Sequence, residues 1–307
     1  MRVLFAGTPA VAVPSLDRIA NEPGLDLVGV LTRPDAPIGR KRVLTPSPVA
    51  SRAEQLGLPI VKASRITPEV TEQLAALAPD IAAIVAFGGL VPPAALAVPA
   101  HGWINLHFSL LPAWRGAAPV QHAVIHGDDV MGASTFLLEE GLDTGPVYGT
   151  MAMTPSADAT AGELLAELAE SGAGLLVRTM EGIDAGSLIA HPQVGEPSYA
   201  PKLTLDDGRI DWSQPALAIQ RRARGVTPEP GAWTLLDGQR FKLEPPTLRP
   251  DVTGLESGRV MWNGSSLLVG TATHALELVR VQPAGKKIMG AADWARGAGT
   301  REGMRFE

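Results

Sequence analysis

The sequence predicts an α/β fold: a doubly wound parallel sheet in the N-terminal half, followed by a small β-rich domain. Three observations carry this. Short apolar runs alternate with segments of helical periodicity along residues 1–189. A stretch poor in apolar residues, 190–206, carries Pro192, Pro197 and Pro201 and reads as a linker. Residues 207–307 then show short alternating runs between turn dipeptides. A length of 307 residues also favours two domains over one.

The first strand is expected at Val3–Ala6, ending in the turn Gly7-Thr8-Pro9, with a helix over Ala10–Ile19. Leu25–Leu31 is a second apolar run. Ser47-Pro48 starts a helix, with serine at the N-cap and proline at the first helical position. Ile81–Ala86 is apolar throughout, as a buried parallel strand should be, and Trp103–Leu106 is another such run. Thr160-Ala161-Gly162-Glu163 is a capping box ahead of Leu164, Leu165 and Leu168. In the back half, strands are expected at Ala232–Leu236, Arg240–Leu243, Gly258–Trp262, Leu267–Gly270 and Leu276–Val281, with turns at Asp237-Gly238 and Asn263-Gly264. This pattern suits a small barrel or sandwich.

Composition removes several function classes. There is no cysteine, which excludes disulfides, thiolate metal sites and cysteine nucleophiles and makes a cytoplasmic location the expectation. No apolar run is long enough to span a membrane, and the N-terminal one is too short for a signal peptide. The net charge of −6 is unevenly spread: residues 1–200 carry −9 and residues 201–307 carry +3. An anionic partner for the back half is therefore worth considering. A dinucleotide is not supported, because Pro9 occupies the second glycine position of the phosphate-binding fingerprint and blocks close backbone approach. No nucleotide P-loop is present either.

In doubly wound sheets, ligands sit beyond the carboxyl ends of the strands. Asn105 and His107 fall there, two residues apart, so that an amide and an imidazole point the same way. Both can donate to a developing oxyanion, although satisfying backbone groups at a strand end is the simpler role. Asp143 lies between Gly141 and Gly145, where the backbone can turn and present the carboxylate. Beside His107 it would orient the ring and raise its pKa; alternatively it is a turn aspartate. The single Asp-Thr-Gly tripeptide does not make an aspartic protease, which needs two carboxylates sharing a proton. His122 and His126 are spaced as a helical ligand pair but lack a third ligand, and no metal is expected. Short basic clusters, Arg40-Lys41-Arg42 near the first strands and Arg221, Arg222, Arg224, Lys286 and Lys287 in the back half, are either solvated charge or contacts to a phosphate-rich partner.

These residues sit in longer motifs. The segments Phe5-Ala6-Gly7-Thr8-Pro9, Pro37–Val49, Asn105–Pro112, Trp114–Gln121, Gly141–Gly145 and Gln282–Met289 together resemble the methionyl-tRNA formyltransferases, within the folate-dependent formyltransferase superfamily, over essentially the whole chain. The chain departs at Phe87, where the family often has tyrosine, and in the basic loop, which lacks a second glycine. The resemblance implies a Rossmann-like catalytic domain over 1–189 and an OB-like, tRNA-binding barrel over 207–307. It implies formyl transfer from 10-formyltetrahydrofolate to the amino group of initiator methionyl-tRNA, with Asn105, His107 and Asp143 catalytic. Protonated His107 would stabilise the oxyanion. Ser109, Leu110, Leu111 and Pro112, with Phe87, Gly88 and Leu90, would line the folate pocket. The basic clusters would hold the tRNA, and a monomer is expected. A sister enzyme acting on glycinamide ribonucleotide or an amino sugar would share the catalytic set but not explain the basic barrel; a non-enzymatic RNA-binding protein would do the reverse.

Overall fold

The computed structural model describes residues 1–39, 41–298 and 303–307. The chain forms two compact units: Met1–Pro119, Val130–Thr154 and Leu165–Ala200 make the first, and Val120–Asp129, Pro155–Leu164 and Pro201–Glu307 the second.

The first unit opens with β1 (Arg2–Gly7), whose last five residues are buried. A 3-10 turn leads into α1 (Val13–Ala20), then β2 (Asp26–Thr32). A small antiparallel hairpin follows, β3 (Ala36–Ile38) and β4 (Val43–Thr45). The helix α2 (Pro48–Gln55) starts as its sequence requires: the Ser47 hydroxyl accepts a bond of 3.0 Å from the Ala50 N–H. Next come β5 (Ile60–Lys62), α3 (Pro68–Ala76), the fully buried β6 (Ile81–Val85), α4 (Pro93–Leu96) and β7 (Trp103–His107). The chain continues through α5 (Pro119–His126), β8 (Met131–Leu137), β9 (Val147–Met153) and α6 (Ala161–Asp184). At the start of α6 the capping box is closed. The Glu163 carboxylate accepts the Thr160 N–H at 2.8 Å, and the Thr160 hydroxyl accepts the Glu163 N–H at 3.3 Å.

The sheet order is β5-β2-β1-β6-β7-β8-β9. The first five strands are parallel, but β8 and β9 run antiparallel to their neighbours, so the sheet is mixed rather than wholly parallel. For the β8–β9 pair the reason is local: the loop that joins them contains no helix to carry a crossover. The polar residues of β8 are satisfied inside, Ser134 by the Ser109 carbonyl at 2.7 Å and Thr135 by the Thr179 hydroxyl at 2.8 Å. Trp103 is fully buried, its indole N–H donating to the Ala95 carbonyl at 2.8 Å. The proline-rich stretch after α6 is held in the first unit over its earlier half: the His191 N–H donates to the Val147 carbonyl, and the Ala200 N–H to the Arg115 carbonyl, each at 2.8 Å.

The second unit includes α5 from Val120 onward and the first turn of α6, and beyond residue 200 consists of α7 (Ala216–Gly225) with strands β10 (Ala232–Leu236), β11 (Gln239–Leu243), β12 (Thr247–Arg249), β13 (Val260–Trp262), β14 (Leu267–Val269), β15 (Ala275–Leu278), β16 (Arg280–Gln282) and β17 (Met289–Gly290), followed by α8 (Ala291–Ala298). They form two four-stranded sheets, β10-β11-β16-β17 and β12-β15-β14-β13, antiparallel throughout. Asp237 and Gly238 both have positive φ, 50° and 71°, as a two-residue hairpin turn needs. Asn263-Gly264 behaves differently: the connection is four residues long, and the Asn263 side-chain oxygen Oδ1 accepts from the N–H groups of Ser265 and Ser266. Phe241 centres the core, 4.8 Å from Trp294 and 5.0 Å from Phe306 between ring centroids.

Candidate active site

The carboxyl ends of β6 and β7 open onto a cleft of about 600 Å³. β6 runs out through Ala86 and Gly88, which have φ of 47° and 75°. A left-handed alanine is uncommon and has to be held by its surroundings. Here the Thr8 hydroxyl donates to the Phe87 carbonyl at 3.0 Å, and the Arg33 guanidinium to the Gly88 carbonyl at 3.3 Å. The turn therefore presents Phe87, Gly88 and Leu90 to the cleft. From β7 come Asn105 and His107, and from the loop after β8 comes Asp143. The structure thus brings the three expected polar residues together in one cavity.

His107 is only 6% exposed and Asp143 9%. The imidazole Nε2 lies 2.9 Å from the Trp114 carbonyl oxygen. A carbonyl can only accept, so Nε2 carries the hydrogen. The other nitrogen, Nδ1, lies 3.8 Å from Asp143 Oδ2, and that carboxylate oxygen accepts the Gly116 N–H at 2.7 Å. Burial pushes the imidazole below its ordinary value of 6.5, against the opposing pull of the Asp143 charge and the Trp114 carbonyl. The carboxylate acts in the direction expected from the sequence, but removing the ring from water opposes it more strongly. Burial thus favours the neutral ring, which with its hydrogen on Nε2 carries a lone pair on Nδ1. Asn105 is half-buried, and its side-chain amide has no hydrogen-bond partner among the described residues. This arrangement can offer a donor to an oxygen and a base to a proton at one point.

Other expected site residues are placed less uniformly. Ser109, Leu110, Leu111 and Pro112 do not line the cleft. They form a turn folded back onto the sheet, where the Ser109 hydroxyl donates to the Ala113 carbonyl at 2.6 Å and the Leu111 N–H to the Ser134 hydroxyl at 3.1 Å. Arg40 lies outside the described residues. Lys41 and Arg42 are exposed at the tip of the β3–β4 hairpin, and Lys286 and Lys287 are exposed before β17. Arg221 and Arg222 are partly exposed, donating to the His126 and Asp207 carbonyls. Arg224 differs from its expectation as a surface cation: it is 8% exposed, with its guanidinium committed to Gln220 and to the Ala159 carbonyl. His122 and His126 do not converge, since His122 meets the Pro201 carbonyl and His126 the Asp128 carboxylate. Among the described residues no group of three His, Asp or Glu side chains could hold a metal. Sequence reasoning gave no role to Trp114, Gly116 and Gln193. The first two stand in the motif Trp114–Gln121, but nothing in that string signals a carbonyl and an N–H aimed at His107 and Asp143.

The formyl transferase family matches residues 1–180, and the formyl transferase C-terminal domain matches residues 202–299, which defines the class. Among full-length relatives, the methionyl-tRNA formyltransferase of Paenarthrobacter aurescens is 66% identical over 307 residues, covering 100% of both chains. The chain belongs to the methionyl-tRNA formyltransferase family. Two solved structures share the fold. One is an N-formyltransferase from Helicobacter canadensis in complex with folinic acid and dTDP-3-aminofucose, with 15% identity, a TM-score of 0.69, and coverage of 92% of this chain and 98% of that one. The other is HypX from Aquifex aeolicus in complex with tetrahydrofolic acid, with 17% identity and a TM-score of 0.65; the match covers 97% of this chain but only 47% of that longer one.

Proposed function

We propose that the chain transfers the formyl group of 10-formyltetrahydrofolate to the free amino group of initiator methionyl-tRNA, for translation initiation. The observation that carries this reading is the convergence of Asn105, His107 and Asp143 on one cleft, in a chain whose full-length relatives bear that name. The cleft suits a folate co-substrate. Its volume falls within the usual range for small-molecule sites. Leu90 gives exposed apolar surface for a flat ring system, backed by the buried Phe87 and Val91, and the turned backbone from Ala86 to Gly89 lies alongside.

In this reading the Asn105 amide donates to the formyl oxygen as the amine nitrogen attacks the formyl carbon and charge builds on that oxygen. His107 Nδ1 takes the proton the nitrogen sheds. The imidazolium so formed keeps its Nε2–H bond to the Trp114 carbonyl and is stabilised by the Asp143 carboxylate. His107 then gives the proton to the folate nitrogen as its bond to the formyl carbon breaks. One N–C bond forms, one breaks, and one proton crosses. Lys41, Arg42, Arg221, Arg222, Lys286 and Lys287 serve tRNA phosphates, and the sequence adds Arg40 to them. The test is turnover with initiator methionyl-tRNA against glycinamide ribonucleotide, using the same formyl donor. A strong preference for the tRNA is expected, and equal or better use of glycinamide ribonucleotide would overturn the assignment.

A further inference from the structure

We propose that Gln193 is a positioning residue of this site, which sets where the Asp143 carboxylate stands relative to His107. The proposal rests on the catalytic reading of His107 and Asp143 given above. Gln193 lies 50 residues from Asp143 in the chain, in the proline-rich stretch after α6. From His191 to Pro197 every neighbour is exposed, and Gln193 alone is partly buried. Its amide NH2 donates to two carbonyls of one loop, those of Asp143 and Gly145, at 2.8 Å each. Its oxygen accepts twice from the Arg115 guanidinium, from Nη2 at 2.7 Å and from Nε at 3.2 Å. All four hydrogen-bonding positions of the amide are therefore used.

The two loops so joined are the ones that build the imidazole–carboxylate pair. One carries Asp143. The other carries Trp114, whose carbonyl receives His107 Nε2, and Gly116, whose N–H holds Asp143 Oδ2. Asp143 has φ of 50°, a backbone state that residues with side chains seldom adopt unless the surroundings impose it. Gln193 grips the carbonyl of that strained residue itself. Arg115 is anchored in turn, its N–H donating to the Ser198 carbonyl at 2.8 Å. A glutamate at 193 keeps the acceptor for Arg115 but sets a carboxylate against two carbonyls. A methionine keeps the length and loses every bond.

The test compares kcat and both KM values of Gln193→Met and Gln193→Glu, each per folded molecule by circular dichroism, with Asp143→Asn and the double variant Gln193→Met/Asp143→Asn. A misplaced catalytic group is expected to cost about 10- to 100-fold in kcat in both Gln193 variants, with each KM within about threefold, because Gln193 does not line the cleft. In the Asp143→Asn background, losing Gln193 is expected to change kcat less than about twofold, since the group it positions is already gone. Unchanged kcat in a folded Gln193 variant overturns the proposal, as does a full, additive loss in the double variant. Failure of both Gln193 variants to fold overturns it in favour of a general stabilising role. If Asp143→Asn itself keeps full turnover, the catalytic reading of Asp143 falls and takes this proposal with it. If Asp143→Asn is impaired while the Gln193 variants are not, only the positioning role falls.

Discussion

His107 shows how one residue's state is decided by terms of opposite sign. Asp143 and the Trp114 carbonyl favour the imidazolium, and burial, the largest influence, disfavours it. Nitrogen NMR of the imidazole is therefore expected to show a neutral ring with its hydrogen on Nε2 at pH 7, and a ring still neutral as the pH falls through 6.5. A doubly protonated ring at pH 7 would contradict the assignment of Nδ1 as the base. The same shift links to stability. Below its ordinary value of 6.5 the unfolded chain protonates this histidine while the folded chain does not, until the pH reaches the lowered folded value. In that window the unfolded state binds more protons, so stability rises with pH and is lost on acidification. Urea midpoints at pH 7.0 and 5.5 should accordingly differ more in the wild type than in His107→Asn. For catalysis, Asn105→Ala, His107→Ala and Asp143→Ala are each expected to lower turnover by about 10² or more while leaving the circular dichroism spectrum unchanged, the scale of losing an oxyanion donor or its proton-handling partner. Near-normal turnover by any of the three removes that residue from the mechanism.

Among the elements, the loop between β8 and β9 holds Asp143 on an irregular backbone, with φ of 50° at that residue. Its conformation is fixed from inside the sheet: a Cβ on Gly145 would lie 1.8 Å from the Leu137 carbonyl oxygen, a backbone atom that cannot swing away. Gly145→Ala must therefore displace the loop, Asp143 included. We expect a fall in kcat of at least about tenfold, consistent with a catalytic group moved by about an ångström. Wild-type kcat in a folded Gly145→Ala enzyme would mean that the loop tolerates the shift. This loop also shows what the sequence could and could not reveal. The glycines around Asp143 marked a turn that presents a carboxylate, and the two-residue spacing of Asn105 and His107 marked a shared face at a strand end. Both are local signals. The strands of the parallel core were equally legible, because β1 and β6 are buried almost throughout and written in apolar residues. β8 and β9 were not, since β8 is rich in small and hydroxyl residues whose partners lie far along the chain, and β9 is mostly only partly buried. The β3–β4 hairpin escaped for a similar reason: its strands of three residues are largely exposed. Gln193 had no local signal at all, because its meaning comes from carbonyls 48 and 50 residues earlier.

For the molecule as a whole, charge rather than shape distinguishes the two parts of the chain. Residues 1–200 carry −9 and repel a polyanion at long range, so tRNA use has to depend on a few cations placed where phosphates come. Burial decides which of the basic residues can serve. Arg224 is taken up by the interior, whereas Arg221 and Arg222, partly exposed, each give one guanidinium N–H to a carbonyl and keep the others for a phosphate. Among the described residues, the exposed candidates are Lys41 and Arg42 on the hairpin of the first unit and Lys286 and Lys287 on the turn of the second. Removing one cation that pairs with a phosphate should reduce the slope of log(kcat/KM) against log salt by about one unit. Lys41→Ala/Arg42→Ala and Lys286→Ala/Lys287→Ala are each expected to flatten that slope by one to two units, on the order of one per cation removed. The four-fold variant should flatten it by the sum, because sites in separate units with no shared partner add. KM for the folate should stay at its wild-type value in all three, since none of these residues lines the cleft. A salt series of kcat/KM for methionyl-tRNA, run in parallel with folate KM, decides the matter. An unchanged slope in either double variant would reduce that cluster to solvated charge, and a changed folate KM would move it into the cleft's chemistry instead.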